Sequence, residues 1–133
     1  MRPMRGMRWA WLGLLLLLQG CSAIKLGYNQ VPTLGYWWLD SQISLEESQQ
    51  PQVREALVQL QRWHREQELP VYAALLLRLQ GLAMQDVQAQ QVCEVWSDAG
   101  NAVDRLMAQA ARQAASIAQQ LQPRQLRHLV RQW

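Results

Sequence analysis

The segment DVQAQQVCEVWSDAGNAVDRLMAQAARQAASIAQQL, residues 86–121, decides the fold. Its apolar residues recur every three or four positions, which is the spacing of one face of an α-helix. Alanine fills many of the remaining positions and allows a second helix to pack closely. The segment therefore predicts one long helix with a partner along its length. The periodic residues are Val92, Val95, Trp96, Ala99, Val103, Leu106, Ala110, Ala114, Ile117 and Leu121.

Helical patterns also lie on both sides of this segment. A periodic run from Val53 predicts a helix that ends near Glu68, before Pro70. Val71–Met84 is apolar on nearly every side, which predicts the most buried helix of the protein. Pro123 begins a last helix with an apolar face. No stretch alternates like a strand, so the sequence predicts an all-α fold, a small helical bundle. The face of the last helix consists of Leu126, Leu129, Val130 and Trp133.

An aromatic stretch, TLGYWWLDSQI at residues 33–43, predicts a short helix close to the N-terminal end of the domain. Neighbouring helix positions diverge by about 100°. We therefore expect one of Trp37 and Trp38 in the core and the other at a surface or groove. Tyr28 and Tyr36 extend the aromatic set, which would also suit a membrane–water interface. Asp40 is expected to accept a bond from Arg65 or to cap a turn, and Ser44 with Glu47 matches a helix capping box.

The first twenty-one residues have the order of a bacterial lipoprotein signal. Three arginines precede the apolar run Trp9–Leu18, and Leu18-Gln19-Gly20-Cys21 closes it. The run is too short for the ~20 residues of a membrane span. An ordinary signal peptide with a chance cysteine is the alternative. We predict a cleaved signal at residues 1–20, then a tether at 21–32 that begins with Cys21 carrying acyl chains such as palmitate, and a helical domain at 33–133.

The expected cellular location and the net charge of the mature protein follow from this assignment. Ser22 stands where, by analogy with bacterial sorting, aspartate would favour the inner membrane, so we predict an outer-membrane lipoprotein on the periplasmic side. Three of the thirteen basic residues leave with the signal, so ten basic residues face ten acidic ones. This balance offers no basic patch for nucleic acid.

Few side chains suggest a catalytic or metal-binding role. His64, beside Arg65 and one turn before Glu68, is the histidine best suited to acid–base work, although an ordinary helix contact between His64 and Glu68 explains the spacing equally. No metal-ligand spacing is present, and neither a metal nor a cofactor is predicted. Cys93 adjoins the apolar stripe of the long helix and is expected to be buried, with a reactive thiol as the alternative. His128 lies between Arg127 and Arg131 and is expected to be solvated.

Several of these motifs occur together in one known family. Gly27-Tyr28-Asn29, Tyr36-Trp37-Trp38-Leu39-Asp40 and Trp63-His64-Arg65 with Leu69-Pro70 resemble a family of uncharacterised lipoproteins of Gram-negative bacteria, a domain of unknown function. The resemblance runs from Cys21 to the C-terminus. It implies a helical fold in the cell envelope and carries no catalytic residue. The family's members look longer, which implies that the domain continues beyond Trp133.

Three functions remain open at this point. The first is a non-catalytic, lipid-anchored helical module that binds an envelope protein or supports envelope organisation. The second is a periplasmic enzyme that uses His64 with Asp40 or Glu68. The third is a membrane-surface protein that uses the segment from Tyr28 to Trp38. A deep polar pocket at His64 would favour the enzyme, and a flat apolar groove would favour the binding module. Self-association through the last helix, with Trp133 at its end, is also expected.

Overall fold

The computed structural model describes residues 22–132, which are helical apart from short turns and contain no β-strand. This confirms the all-α bundle. The predicted signal peptide, Cys21 and Trp133 lie outside the described residues. Residues 22–29 form a lead-in helix. It is followed by α1 (Val31–Ile43), α2 (Gln50–Trp63), a π-helical segment (His64–Glu68), α3 (Leu69–Leu82), α4 (Ala89–Ala118) and α5 (Pro123–Gln132).

Four prolines mark the first turns of helices. Pro32, Pro51, Pro70 and Pro123 stand at the first positions of α1, α2, α3 and α5. Proline fits there because the first N–H groups of a helix have no intrahelical partner. The helix that begins at Pro123 agrees with the sequence pattern.

Pro70 does not end its helix, contrary to the prediction. The π segment carries the chain from α2 into α3 without a break, and the Leu69 N–H bonds to the His64 carbonyl five residues back. A proline ring collides with the carbonyl four residues before it in a regular α-helix. The wider π turn directly before Pro70 gives room for the ring, so the run continues from Gln50 to Leu82.

The tether predicted for residues 21–32 contains a helix in its described part. Residues 22–29 are helical, and the Gln30 N–H bonds to the Leu26 carbonyl at 3.2 Å. Pro32 has no N–H to offer the Tyr28 carbonyl four residues before it. The side-chain amide of Gln61 on α2 donates to that carbonyl instead. This contact from α2 holds the lead-in helix, and local sequence gives no sign of it.

The turn between α1 and α2 is built differently from the predicted capping box. Ser44 caps the end of α1 in a left-handed conformation, φ 57°, and its N–H bonds to the Asp40 carbonyl at 2.8 Å. The Asp40 carboxylate accepts the Leu45 N–H at 2.9 Å. Asp40 therefore caps a turn, which was one of its two predicted roles.

The bundle has two unequal ends. α2 packs against α1 on one side and α4 on the other, and α5 packs against α1. Buried apolar residues are few, namely Tyr36, Val53 and Ala102. Arg54 of α2 lies over the Tyr36 ring at 3.5 Å, a cation–π contact that joins α1 to α2. The other end is a hairpin of α3 and the first half of α4, whose packing is looser.

The prediction that Val71–Met84 is the most buried helix is wrong. α3 contains no buried residue, and the side chains of Leu76 and Leu77 are 64% and 69% exposed. α3 contacts α4 along one side only, and Arg78 bonds there to Asp98 at 2.8 Å and to Glu94. A sequence that is apolar on every side indicates that burial would stabilise the helix. It does not indicate whether residues of the same chain bury it.

Candidate functional site

An apolar groove of about 410 Å³ lies where the lead-in helix, α2 and α4 meet. Its volume falls within the range of about 300–1,000 Å³ typical of small-molecule sites. α2 and α4 each contribute residues three or four positions apart, as expected for the facing sides of two helices. The lining residues are Tyr28, Val31, Leu57, Leu60, Gln61, His64, Leu106, Met107 and Ala110.

His64 lines this groove and is half-buried. Its Nδ1 is 3.0 Å from the Tyr28 hydroxyl, and its ring meets the Tyr72 ring edge-on with centroids 5.4 Å apart. In neutral imidazole one ring nitrogen donates and the other accepts, so the Tyr28 hydroxyl can serve either tautomer. Two tyrosines, rather than carboxylates, therefore orient this ring.

Neither carboxylate predicted for a catalytic pair bonds to His64. Asp40 is used in the α1–α2 turn. Glu68 is 2% exposed and accepts two bonds from the Arg105 guanidinium of α4, at 2.8 and 2.9 Å. The predicted His64–Glu68 contact is thus replaced by an ion pair between residues thirty-seven positions apart.

The Glu68–Arg105 pair controls the electrostatics between the π segment and α4. The bonds from Arg105 lower the pKa of the Glu68 carboxyl below its ordinary value of 4.5, although burial acts in the opposite direction. Burial, with a smaller contribution from Glu68, raises the pKa of the Tyr72 hydroxyl. Tyr72 thus stays protonated beside His64 at neutral pH.

Arg65 lies outside the groove and ties the lead-in helix to the π segment. Its guanidinium donates to the Asn29 side-chain oxygen at 2.9 Å and lies 5.4 Å from the centre of the Tyr28 ring. Together with the amide of Gln61, it holds Tyr28 in place. The structure therefore brings three predicted site residues together, namely Tyr28, His64 and Arg65.

The remaining predicted site residues lie elsewhere. Tyr36 is the buried aromatic of α1, whereas Trp37 and Trp38 are 68% and 57% exposed, so the expected core tryptophan is wrong. Position 36, rather than 37 or 38, faces α2. Cys93, expected to be buried, is exposed. His128, expected to be solvated, is half-buried, with Nε2 at 3.3 Å from the Ser41 carbonyl.

Sequence reasoning missed a buried cluster of two side-chain amides, Gln49 and Gln125, which we call the amide cluster. The Gln125 amide nitrogen donates to the Gln49 side-chain oxygen at 2.7 Å and to the Ser44 carbonyl at 3.0 Å. The Gln49 nitrogen donates to the Gln120 carbonyl at 3.1 Å. Each of the two oxygens also accepts a backbone N–H, from Glu46 and from Gln122. The cluster joins the α1–α2 turn to the start of α5.

The last helix leaves part of its predicted apolar face open. Leu126 and Val130 are 47% and 75% exposed, while Leu129 is half-buried. α5 packs against α1 and not along the alanine-rich helix α4. Self-association through this face stays a prediction.

Within residues 22–132, no three histidine, cysteine, aspartate or glutamate side chains come close enough to hold a metal ion. In the same part of the chain, no helix combines the length and the apolar character needed to cross a membrane. Comparison of the chain with models of protein families, with curated proteins and with solved structures gives no match. The site's own geometry, an apolar groove whose lining includes the hydrogen-bonded pair of His64 and Tyr28, is suited to binding an apolar segment or chain.

Proposed function

We propose that this chain is a lipid-anchored protein of the outer membrane, facing the periplasm, whose helical domain binds another envelope component through the apolar groove. The observation that supports binding over catalysis is the environment of His64. The ring lines an apolar groove and is bonded to Tyr28, and the nearby carboxylate of Glu68 is bonded to Arg105. A general base needs a substrate proton within reach and a group that raises its basicity.

The lipid anchor rests on the order of basic residues, apolar run, Gly20 and Cys21 in the sequence. Two acyl chains suffice for stable attachment, since each buried CH₂ contributes about 0.8 kcal/mol. Mass spectrometry of the membrane fraction should find acyl chains on an N-terminal Cys21. The Cys21→Ser variant should be released from membranes or remain unprocessed. An unmodified Cys21, or a mature chain that starts elsewhere, refutes the anchor.

The binding role is tested by capture from detergent-solubilised envelopes, with the mature protein as bait. The variant Met107→Gln places an amide in the groove at a side chain that is already 61% exposed, so the fold should survive. The control Val103→Gln changes a 53% exposed residue one turn away on the same helix and outside the groove lining. A partner that is lost with Met107→Gln and kept with Val103→Gln supports the proposal. Equal recovery with both variants argues against the groove.

A second role, contact with the membrane surface, is favoured by the exposure of Trp37 and Trp38 on α1. Tryptophan prefers the membrane–water interface, and α1 follows the lead-in helix directly. Unlipidated protein should then sediment with phospholipid vesicles, and the double change Trp37→Ser and Trp38→Ser should reduce the bound fraction several-fold. Trp96→Ser is the matched control, because Trp96 is 80% exposed at the other end of the molecule. Equal loss with Trp96→Ser would refute a specific role for α1.

A further inference from the structure

We propose that two copies of this chain pair through one exposed side of the hairpin formed by α3 and the first half of α4. The hairpin face, as we call this surface, consists of Leu76 and Leu79 on α3 and of Val92 and Trp96 on α4. It goes beyond the proposed function, because it shares no residue with the apolar groove and needs no lipid anchor. It also differs from the face of α5 for which the sequence predicts self-association.

The two helices of the hairpin run in opposite directions. An ion pair joins Arg105 of α4 to Glu68, directly before α3, and a second joins Arg78 of α3 to Asp98 of α4. Positions therefore rise along α3 as they fall along α4, which makes the helices antiparallel. The same contacts show which side of each helix meets the other.

The position of each residue relative to this meeting side places the hairpin face. Leu76 and Trp96 each directly follow a half-buried residue of the meeting side, Leu75 on α3 and Val95 on α4. One step along a helix turns by about 100°, and in two antiparallel helices this turn leads to the same face of the pair. The other two members lie three positions after Leu76 and four positions before Trp96, the spacing of one helix side.

The hairpin face is apolar and open to solvent. A contiguous apolar patch on the surface of a domain marks an interaction site. The hairpin is one layer of two helices, whereas a stable helical domain packs two layers on each other, so a second hairpin laid on this face would complete a four-helix bundle. The exposed fractions are 64% for Leu76, 39% for Leu79, 57% for Val92 and 80% for Trp96.

The distribution of charge favours a second copy over a membrane as the occupant. Residues 69–102, all of which the structure describes, contain one basic and three acidic residues, a net charge of −2. A membrane surface with anionic lipids attracts basic segments and repels an acidic one. Glu94, one position before Val95, turns to the opposite side of the hairpin, where Arg78 bonds to it and to Asp98.

The hairpin face itself contains no charged residue, so it is compatible with its own copy. In a two-fold symmetric pair the same patch occurs on both sides of the interface, and any charge on it would meet a like charge. Two copies joined here bury no charge and bring no like charges into contact.

The size of the face agrees with a reversible pair. α3 has 14 residues and is about 21 Å long at 1.5 Å per residue. Packed helices lie about 10 Å apart, so the two-helix layer has an outline of roughly 400 Å² on each copy. With the relief of the side chains added, a pair buries on the order of 1,000 Å², the lower limit of specific interfaces.

The test is photo-crosslinking in cells that make the full chain in two differently tagged forms. p-Benzoylphenylalanine replaces Trp96, which keeps an aromatic side chain at this exposed position. Irradiation should produce a species that is captured through one tag and detected through the other. Cross-links from position 96 only to lipid, only to a different protein, or to nothing overturn the proposal. A doubly tagged species that forms with the same replacement at Val130 on α5, and not at position 96, also overturns it.

A pair of neighbouring variants makes the result specific to the hairpin face. Leu76→Gln, combined with the replacement at position 96, should lower the yield of the doubly tagged species at least three-fold. Leu77→Gln is the matched control, because Leu77 is 69% exposed and points about 100° further from α4. It should leave the yield unchanged, and it accounts for any general effect of a glutamine on the folding of α3. Equal yields from the two variants would overturn the proposal.

Discussion

Replacing Glu68 with glutamine is expected to lower the free energy of unfolding by about 2 kcal/mol at pH 7, because hydrogen bonds to charged groups contribute about 1.5–3 kcal/mol. The change keeps the shape of the side chain and removes its charge. Glu68 is 2% exposed and receives both bonds of the Arg105 fork, at 2.8 and 2.9 Å. Glutamine replaces only one of the two carboxylate oxygens that accept from the guanidinium, and its amide N–H groups face that cation in the place of the other.

The pH dependence gives the sharper test. The folded protein holds the pKa of Glu68 below its ordinary value of 4.5, so the pair's contribution is complete above pH 4.5 and is lost as the pH falls through the folded pKa. The difference between the unaltered protein and Glu68→Gln should therefore shrink in acid. Urea unfolding of residues 22–133, followed by circular dichroism at pH 7 and below pH 4, measures it. A difference that is constant with pH would refute the reasoning.

Two further variants complete the experiment. Arg105→Gln leaves the Glu68 carboxylate buried without its cation, so burial becomes the largest influence on its pKa and raises it. Stability of this variant should then improve as the pH falls toward that raised pKa, the reverse of the unaltered protein. Glu55→Gln is the control, because Glu55 is exposed on α2 and accepts only from Gln59 at 2.6 Å. Its effect should stay within about 0.5 kcal/mol.

Other changes test the rest of the architecture. Gln125→Leu should destabilise by about 2–3 kcal/mol in urea unfolding, because it leaves buried polar groups of the α1–α2 turn without partners; a neutral effect would contradict the role of the amide cluster. Gly100→Ala should stabilise by about 0.5–1 kcal/mol in a thermal melt, since a Cβ at this helical position meets nothing within 4 Å. Leu76→Gln should change stability by less than about 0.5 kcal/mol, because the side chain is 64% exposed; a large loss in the isolated domain would mean that α3 is covered.

Sequence periodicity was sufficient to predict the helices and insufficient to predict which of them are buried. α4 could be predicted as a helix because its apolar residues recur at helical spacing, although three of them, Val92, Trp96 and Val103, are 57%, 80% and 53% exposed. α3 has no such stripe, so its sequence contains no information about which side meets a neighbour. The prediction for Trp37 and Trp38 was wrong for a related reason. Tyr36, Trp37 and Trp38 are all able to fill a core, and the orientation of α1 on α2 decides which of them is buried.

The candidate site was predictable only in part. Tyr28, His64 and Arg65 were singled out by residue type, and the structure brings them together. The groove between them could not be derived, because its walls come from segments that no local pattern connects. The Glu68–Arg105 pair and the amide cluster join positions thirty-seven and seventy-six residues apart, and either partner alone reads as an ordinary surface residue.

The amide cluster has a consequence for how the molecule meets a changing environment. Glutamine side chains do not titrate and attract no counterions, so the bonds of the amide cluster should have the same strength in acid, in alkali and across a wide range of salt, unlike the ion pair between Glu46 and Arg124 beside it. The joint between the π segment and α4 depends on a carboxylate and should loosen in acid. In acid, the amide cluster should therefore still hold α5 to the α1–α2 turn after the Glu68–Arg105 pair between the π segment and α4 has been lost.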